Sequence, residues 1–434
     1  MNKLLIKKTA FFGLFAVFLI VTPMLIFDAY GYGFDFQKRG FVKVGGISIK
    51  SVIPDVNVFI NNEYKNKTAP FSKDLLIQKL IPGEYKVRVE KTNYHPWEKT
   101  LQVNEQKVAK AENIYLFQEN IPFEINKENI SNFFLSEKKD AIVYLTTNQE
   151  LIFNGTTILD STSSKNYFTT GIEDVKFFPD LKKILIHDKT KYYYLDITKT
   201  STPVNLKVLE TAEYFYLKND SVVYKTKDQI IEYSLTSKKT TILRKDVNAF
   251  ALDNNNIYST EEKILTKISD NKETILSEKP LDLENYRLII IANKIFAYDN
   301  SSLYLFNDYK KEFEFFLKAK ELDYDILPDK IIFNTGSELW ILLLKDFENP
   351  FFKKSGSLIF LSRYSSEIQN VSWFNDDYFF YTINNNLFVS EIDNRDNINT
   401  FQISQLPVQK LWFNDKILYL LSDNKIYNST RFNP

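Results

Sequence analysis

The chain has 434 residues, with 55 basic and 55 acidic side chains, so its formal net charge is zero. It contains no Cys, only two His and only 11 Gly, whereas aromatic residues reach 15%. The missing Cys excludes disulfides, thiolate zinc sites, iron–sulfur clusters and a lipid-modified N-terminal Cys. The glycines form no nucleotide-binding or hydrolase-elbow motif, and the balanced charge argues against a nucleic-acid binder. We therefore expect no metal ion, no cofactor and no nucleic-acid partner.

An uncharged, apolar run occupies residues 10–27. Its length is about what a helix needs to cross a hydrocarbon core that is roughly 30 Å thick. Three lysines precede the run, and the first charge after it is acidic. The positive-inside rule then predicts a cytoplasmic tail at residues 1–9, a transmembrane helix at residues 10–28, and C-terminal domains outside the membrane.

Residues 29–44 are predicted to form a juxtamembrane stem, in which Tyr30 and Tyr32 suit the membrane–water interface. A cleaved signal peptide is the main alternative to an uncleaved anchor. Residues 26–28, which are Ile-Phe-Asp, offer no cleavage site of the small-x-small kind. A buried helix of a soluble domain is a third interpretation, which the position of this run at the extreme N-terminus disfavours.

From residue 45 to residue 117 the sequence changes to short segments that alternate between apolar and polar residues. Val56, Val58 and Ile60 fall on one face of a predicted strand, and residues 85–89 alternate in the same way. Turns that contain Pro separate these segments. The pattern predicts a small β domain of about 70 residues with one thin core.

This segment resembles a PEGA domain, a small β-sandwich of surface-associated prokaryotic proteins. Asn62 and Asn93 stand where the family prefers Gly, and Asn tolerates the left-handed backbone conformation of such turns. The resemblance implies a non-catalytic module at the cell surface and supplies no universal ligand. The matching features, in chain order, are Gly45–Pro54, Val56–Ile60 with Asn61–Asn62, Lys67–Pro70, Leu80–Tyr85 and Lys91–Tyr94.

The segment 121–434 repeats one unit, which consists of an aromatic strand, a turn that bears Asp or Asn, and a β-branched or aromatic strand. A regular spacing of roughly 40 residues with several strands per unit is typical of propeller blades. We therefore predict an all-β fold with a β-propeller of eight blades, or alternatively seven. The turns are centred on Asp140, Asp180, Asp220, Asn255, Asn293, Asp329, Asp377 and Asp415.

Two irregularities complete this pattern. The longest interval contains residues 346–356, which we interpret as a loop inserted in the sixth blade. The last unit stops soon after its third strand, and Pro122–Ile125 could supply the missing outer strand and close the ring. Third strands are predicted at Lys191–Ile197, Gln229–Leu235, Glu338–Leu344 and Asn386–Ile392.

Residues 177–186 resemble the strand–turn–strand unit of Tol–Pal-type propellers, with Leu181 where Gly is usual. The repeats lack the Gly-His and Trp-Asp signatures of WD-repeat proteins and the Asp-box of sialidases. The order of anchor, module and propeller is similar to that of envelope proteins from small-genome bacterial lineages, most visibly at residues 361–381 and 391–401. These resemblances imply an architecture and no activity.

His187 and Asp188 could form a general base with its partner carboxylate, but neighbours on a strand point to opposite faces. His95 is expected to be packed or half-exposed at a strand end. Carboxylate pairs could make a glycosidase, although pairs arise by chance among 55 acids. The candidate pairs are Glu173–Asp174, Asp323 with Asp325, and Asp376–Asp377.

Aromatic side chains could stack on sugars, but core packing is the default at repeated positions. The candidates are Trp340, Trp373, Trp412 and Tyr192–Tyr194. Charge is distributed unevenly, because residues 38–117 hold 14 basic and 8 acidic groups while the propeller segment is acidic. A basic module could contact anionic headgroups or wall polymers, or it could simply be a solvated surface.

The sequence thus predicts a single-pass envelope protein whose anchor contacts the bilayer through residues 10–28. Its expected role is non-catalytic binding or scaffolding of envelope proteins or surface polysaccharide, and no residue is assigned to catalysis. An exported hydrolase for wall sugar or peptide and an accessory subunit of an envelope export or assembly machine remain as alternatives.

Overall fold

We describe a computed structural model of the chain, covering residues 3–199, 201–253, 256–269, 272–348 and 352–432. It begins with helix α1 (Lys3–Ala29), of which Thr9–Ala29 is long and apolar enough to cross a membrane. None of that window is buried inside the protein. A short antiparallel hairpin of β1 (Tyr32–Asp35) and β2 (Gly40–Lys43) follows directly.

Two packed sheets follow the hairpin and form the module. The strands are β3 (Gly45–Ser51), β4 (Asn57–Ile60), β5 (Glu63–Lys67), β6 (Asp74–Leu80), β7 (Gly83–Glu90), β8 (Trp97–Val103) and β9 (Val108–Ile114). One sheet has the order β6–β3–β9 and the other the order β5–β4–β7–β8. Strand β3 runs parallel to β9, which carries the chain towards the propeller.

The alternating pattern of the module places its apolar residues in one core, as the sequence predicts. Val56, Val58 and Val87 are fully buried between the two sheets. Asn62 and Asn93, which replace the usual glycines, both adopt φ of 67°. Asn is one of the few residues that tolerates this left-handed conformation, so the turns form without Gly.

The rest of the described chain forms a propeller of four-stranded antiparallel sheets. Strand β10 (Phe123–Glu128) comes first and belongs to the last blade. Blade one comprises β11 (Ile130–Leu135), β12 (Ile142–Thr146), β13 (Leu151–Phe153) and β14 (Thr156–Leu159), and blade two comprises β15 (Asp174–Phe177), β16 (Lys183–His187), β17 (Tyr192–Asp196) and β18 (Val204–Asn205). Blade three comprises β19 (Tyr214–Lys218), β20 (Ser221–Thr226), β21 (Gln229–Ser234) and β22 (Thr240–Arg244). Blade four comprises β23 (Ala249–Asp253), β24 (Asn256–Glu261), β25 (Ile264–Ser269) and β26 (Lys272–Ile275).

Blades five to eight continue in the same order. Blade five comprises β27 (Arg287–Ile291), β28 (Lys294–Tyr298), β29 (Ser302–Asn307) and β30 (Glu312–Lys318), and blade six comprises β31 (Asp323–Leu327), β32 (Lys330–Asn334), β33 (Glu338–Leu343) and β34 (Leu358–Arg363). Blade seven comprises β35 (Ile368–Trp373), β36 (Tyr378–Ile383), β37 (Asn386–Glu391) and β38 (Thr400–Gln402). Blade eight contains β39 (Lys410–Asn414), β40 (Ile417–Ser422) and β41 (Lys425–Ser429). A short helix α2 (Ser161–Tyr167) joins blades one and two, and a 3₁₀ turn (Lys207–Leu209) joins blades two and three.

The ring is closed by β10, which pairs antiparallel with β41 and completes the eighth sheet in the order β10–β41–β40–β39. The predicted closure by Pro122–Ile125 is therefore confirmed. First strands of neighbouring blades contact one another, including β23 with β27 and β31 with β35, and so line the central channel. Within the described ranges the propeller has eight blades.

The repeat turns lie between the first and second strands of their blades, as predicted. Asp180 and Asp220, for example, stand between β15 and β16 and between β19 and β20. Asn255, the predicted centre of the turn in blade four, lies outside the described residues. Leu181, at the position where Gly is usual, has φ of 57°, so this turn keeps the left-handed conformation with an unfavourable side chain.

The four predicted third strands are confirmed as β17, β21, β33 and β37. The inserted loop also lies where it is expected, between β33 and β34 of the sixth blade. An isolated bridge between Phe347 and Lys353 closes its described part.

Candidate functional site

A buried joint connects the module to the seventh blade. The ammonium of Lys99 in β8 lies 2.6 Å from Oε1 of Glu391 at the end of β37. The same ammonium donates to the carbonyl oxygen of Asp393 at 2.6 Å, and Trp97 Nε1 donates to Glu391 Oε2 at 2.7 Å. Burial raises the pKa of Glu391, against the opposing effect of Lys99. Because each group depends on its partner, module and blade are fixed in one relative orientation.

The loop between β37 and β38 covers the edge of the module sheet at β8. Asp396 Oδ2 accepts the amide hydrogen of Thr100 at 2.7 Å, and Asn399 exchanges two hydrogen bonds with the backbone of Glu98. An uncovered edge strand would present free backbone groups for aggregation. Here side chains of the propeller satisfy alternate residues of that edge. Arg395 adds a hydrogen bond to the carbonyl oxygen of Lys110.

Aromatic rings fill the rest of the joint. Tyr115 lies with its ring centroid 4.8 Å from that of Phe374, and its amide donates to the hydroxyl oxygen of Tyr378 at 3.1 Å. His95 stacks on Phe401 at 4.7 Å and is half-buried, in line with the expectation of a packed or half-exposed residue, and burial lowers its pKa. Tyr115 and Phe117, which follow β9, thus belong to one hydrophobic cluster with residues of the seventh and eighth blades.

Asp377 lies beside the joint, at the turn before β36. Burial is the main cause that raises its pKa to about 7, with Lys330 acting against it and Asp376 in the same direction as burial. Asp377 lines a small cavity together with Trp97 and Asn113 of the module, so the pair Asp376–Asp377 lies next to the docked module.

A groove of about 920 Å³ opens at the outer rim of blades one to three. It forms because β18 has only two residues and pairs with β17 at Tyr193 and Tyr194 alone. The loop from β17 to β18 and the loop that holds the module occupy equivalent positions in their blades. The groove is lined by β14, α2, β17 and the turn after β21.

The groove carries balanced charge and two aromatic walls, Tyr167 and Tyr194. Its basic groups are already paired, since Lys183 contacts Asp220 at 2.9 Å and Lys199 contacts Asp196 at 3.3 Å. Burial tends to raise the pKa of Asp196, but hydrogen bonds from Thr198 and the contact with Lys199 outweigh it, and the pKa is lowered. Aromatic faces beside hydroxyl groups and paired ions suit a neutral polar ligand.

A contact also crosses the central channel. Lys139, in the turn between β11 and β12, lies 2.7 Å from Asp325 on β31, three blades away around the ring. The other carboxylate oxygen of Asp325 accepts the amide hydrogen of Trp373 at 2.8 Å. Desolvation beside the channel raises the pKa of Asp323, which lies two residues away on the same strand face and remains solvent-accessible. This end of the channel is therefore bridged by an ion pair.

The residues proposed as a general base are not brought together. His187 Nδ1 lies 3.5 Å from Glu173, and its ring stacks on Tyr192 at 4.3 Å. Asp188 is buried and accepts hydrogen bonds from Thr190 and from the Lys191 amide, which makes it a turn residue. The expectation that His187 and Asp188 point apart is met.

The aromatic candidates divide between core and surface. Tyr193 and Trp373 are buried, and the indole of Trp373 donates to the carbonyl oxygen of Asp325. Trp340 packs edge-on against Phe360 at 4.9 Å, and Trp412 stacks on Tyr419 at 4.6 Å. Of the candidates for sugar stacking, Tyr194 lines the groove.

The joint is not predicted from the sequence. Lys99, Trp97 and Glu391 carry no motif, and almost 300 positions separate Trp97 from Glu391. The available signal was residues 391–401, which the sequence singles out for its resemblance to envelope proteins and which proves to be the docking segment. Among the described residues, no group of three or more His, Asp or Glu side chains is placed to hold a metal ion.

Comparison with known families identifies the module. Residues 44–114 match the family described as PEGA domain, which confirms the resemblance noted from the sequence. The match covers less than half of the chain and therefore characterises this module alone. No protein with a curated description matches the sequence.

Several solved structures are similar to the propeller. The computationally designed Ika8 protein is 11% identical, with a TM-score of 0.46 over 71% of this chain and 98% of its own. BamB from Moraxella catarrhalis is 11% identical, with a TM-score of 0.44 over 72% of this chain and 99% of its own. The WD40 domain of SCAP from fission yeast is 10% identical, with a TM-score of 0.42 and coverages of 72% and 98%.

Proposed function

We propose that this protein is a single-pass component of the cell envelope that binds or scaffolds envelope proteins or a surface polysaccharide and catalyses no reaction. In this proposal the N-terminus is cytoplasmic, α1 spans the bilayer, and the PEGA module and the propeller lie outside. Support comes from the apolar, unburied window Thr9–Ala29 and from the lysines that precede it.

The joint centred on Lys99 and Glu391 carries the proposal. A flexible linker would let the propeller reorient freely relative to the PEGA module. Here the propeller is held on the module by a buried ion pair, a covered sheet edge and a shared aromatic cluster. A propeller held in this way can offer a ligand site at a fixed orientation and distance from the membrane. That is the property expected of a scaffold or receptor.

The rim groove is the proposed ligand site. Its walls combine the rings of Tyr167 and Tyr194 with Ser and Thr hydroxyl groups, and its lysines are neutralised by neighbouring aspartates. A glycan or an extended peptide segment of low charge fits this chemistry better than a strongly charged ligand.

Photo-crosslinking in intact cells tests the proposal. A photoreactive phenylalanine analogue at Tyr194 should capture an envelope protein or a glycan, whereas the same analogue at Tyr309 serves as the control, because Tyr309 is 94% exposed and lies outside the groove. Identical products from the two positions, or none from Tyr194, would contradict a ligand site in the groove.

A second candidate function is an exported hydrolase for wall sugar or peptide, and Asp323 with Asp325 favours it. Asp323 has a raised pKa, while Asp325 is ion-paired with Lys139, and acid and base roles divide between carboxylates in unlike environments. Purified protein should then cleave wall fragments, and Asp323→Asn should abolish cleavage. Absence of turnover alongside unchanged crosslinks from Tyr194 would reject this candidate.

The joint favours a further variant of the scaffold role, an accessory subunit of an export or assembly machine. A stable membrane partner should then co-purify with the wild type in mild detergent. Recovery of a monomer alone would contradict this variant, and it would leave the ligand site in the groove to be judged by the crosslinks.

A further inference from the structure

The hairpin β1–β2 lies immediately after the end of α1. Only Tyr30 and Gly31 separate the helix from β1, and the amide of Val44 donates to the carbonyl oxygen of Gly31 at 2.8 Å to close the base of the hairpin. Lys79 of the module lies 2.6 Å from Asp28 in the last turn of the helix. The hairpin is thus held where the chain leaves the apolar window Thr9–Ala29.

A continuous row of aromatic rings connects the helix to the tip of the hairpin. Phe27 of α1 stacks on Phe41 at 4.7 Å, Phe41 contacts Phe34 at 5.4 Å, and Phe34 contacts Phe36 at 5.1 Å. These rings are open to the surroundings, and Phe36 is 82% exposed. Aromatic rings exposed in a row beside a transmembrane segment are typical of the membrane–water interface.

The polar groups of the hairpin leave its tip positively charged. Lys38 and Arg39 occupy the turn, whereas Asp35, the one acid between residues 32 and 43, is buried. Asp35 Oδ1 accepts the amide hydrogens of Gln37 at 2.8 Å and Lys38 at 3.1 Å, so its carboxylate is folded back into the turn. The outward charge of the tip therefore comes from the two cations, which suits phosphate groups of lipids.

We propose that the hairpin is a second membrane contact, with Phe34, Phe36 and Phe41 in the interfacial region of the outer leaflet and Lys38 and Arg39 at lipid phosphates. This inference rests on the proposed anchoring by α1. The bilayer then covers the exposed aromatic surface of the hairpin. Together with the contact between Lys79 and Asp28, the hairpin fixes the angle between the module and the membrane plane.

Depth-dependent fluorescence quenching tests the inference. Because the chain contains no Cys, a single introduced Cys is the only site that the fluorophore can label. The variants Phe36→Cys, Leu19→Cys and Phe71→Cys are each labelled with bimane in the full-length protein and reconstituted. Vesicles contain phosphatidylcholine alone or equal parts phosphatidylcholine and phosphatidylglycerol, with nitroxide quenchers at shallow or deep positions. Leu19 reports the middle of α1, and Phe71, which is 98% exposed in a module loop, is the matched aqueous aromatic.

We expect the label at position 36 to be quenched by the shallow nitroxide at least about threefold more than the label at position 71. If position 19 is quenched and position 36 behaves like position 71, the hairpin contact is wrong and the anchor stands. If position 19 is not quenched, the proposed anchor fails and the hairpin contact fails with it. If the fluorescence at position 36 depends on the ratio of protein to lipid and not on the nitroxide lipid, a second copy of the protein covers the hairpin. That result would overturn the inference.

Charge reversal provides a second variant with an intact aromatic row. Lys38→Glu with Arg39→Glu, in the Phe36→Cys background, should remove the extra quenching that phosphatidylglycerol produces. Reversal of Lys65 and Lys67 on β5 of the module is the matched control, since this pair is also basic and exposed. An equal loss from both pairs would show a general charge effect and contradict a specific contact of the tip.

Discussion

The ammonium of Lys99 and a carboxylate oxygen of Glu391 lie 2.6 Å apart, with the two side chains 0% and 4% exposed. Burying two charges removes the hydration of both, so such a pair adds little net stability but makes each partner indispensable to the other. The pair therefore defines how module and propeller fit together more than how strongly the chain is folded.

Replacing Lys99 by Met should lower the free energy of unfolding by about 3 kcal/mol or more, because Glu391 stays buried without its cation. The double variant Lys99→Met with Glu391→Met should recover most of that loss. Denaturant unfolding measures both. Lys86→Met, which breaks an exposed ion pair with Glu98, is the control and should change stability by less than about 1 kcal/mol. Equal losses at positions 86 and 99 would refute the buried-pair interpretation.

Stability should respond to pH through Asp377. Its pKa is raised to about 7 in the folded protein by burial, whereas an unfolded Asp titrates near 3.9. Between these values the folded state holds a proton that the unfolded state has lost, so this contribution to stability is complete below about pH 4 and disappears as the pH rises through about 7. Asp377→Asn cannot lose that contribution.

The stability of Asp377→Asn relative to the wild type should therefore grow by on the order of 2 kcal/mol between pH 4 and pH 8. Melting temperatures of both proteins across this range provide the measurement. The control is Asp376→Asn at the exposed neighbouring position. Parallel pH profiles for the wild type and Asp377→Asn would show that the carboxyl group is not desolvated.

Because β10 closes the ring by pairing with β41, a disulfide engineered between these two strands should stabilise the propeller. Glu124 of β10 and Asn428 of β41 are paired neighbours, and cysteines at both positions would be the only ones in the chain. A bond there closes a loop of about 300 residues and should stabilise the folded state by roughly 2–4 kcal/mol. Melting with and without reductant checks this, and Glu124→Cys alone is the control. A disulfide that forms without raising the melting temperature would argue against β10 as the closing strand.

Leu181 should be improvable by removing its side chain. At φ of 57° a branched residue is strained, and Gly is not, so Leu181→Gly should stabilise the propeller by up to about 1 kcal/mol despite the added flexibility of the unfolded chain. Lys182→Gly, at the next position, has no left-handed strain to relieve and should destabilise. Thermal unfolding of the two variants decides the matter, and a loss for both would show that Leu181 contributes packing.

Local patterns made the blades predictable. The Asp and Asn turns recur because each blade needs a tight reversal between its inner strands, and Asp140 or Asp220 can be located by spacing alone. The alternation of Val56, Val58 and Ile60 likewise specifies which face is buried. These features depend on neighbours within a few residues, and the sequence contains them in full.

The joint and the groove depend on distances that no local pattern encodes. Trp97 meets Glu391 only because eight blades close into a ring and bring blade seven beneath β8. The groove exists because β18 stops after two residues, and the sequence of residues 197–203 does not reveal how early that strand ends. The sequence indicates Tyr194 as an aromatic candidate, but it does not distinguish this residue from the buried Tyr193.

Strand β10 is the first strand of the propeller to be synthesised and β41 is the last, yet the two strands pair in one sheet. A chain that ends before residue 425 leaves β10 without its partner strand, although the partners of Trp97 and Lys99 at Glu391 and Asp393 have by then been made. An unpaired strand edge of this kind can pair with other chains and promote aggregation. Because β10 pairs with β41, the eighth blade is completed and the ring is closed only when the last strand has been made.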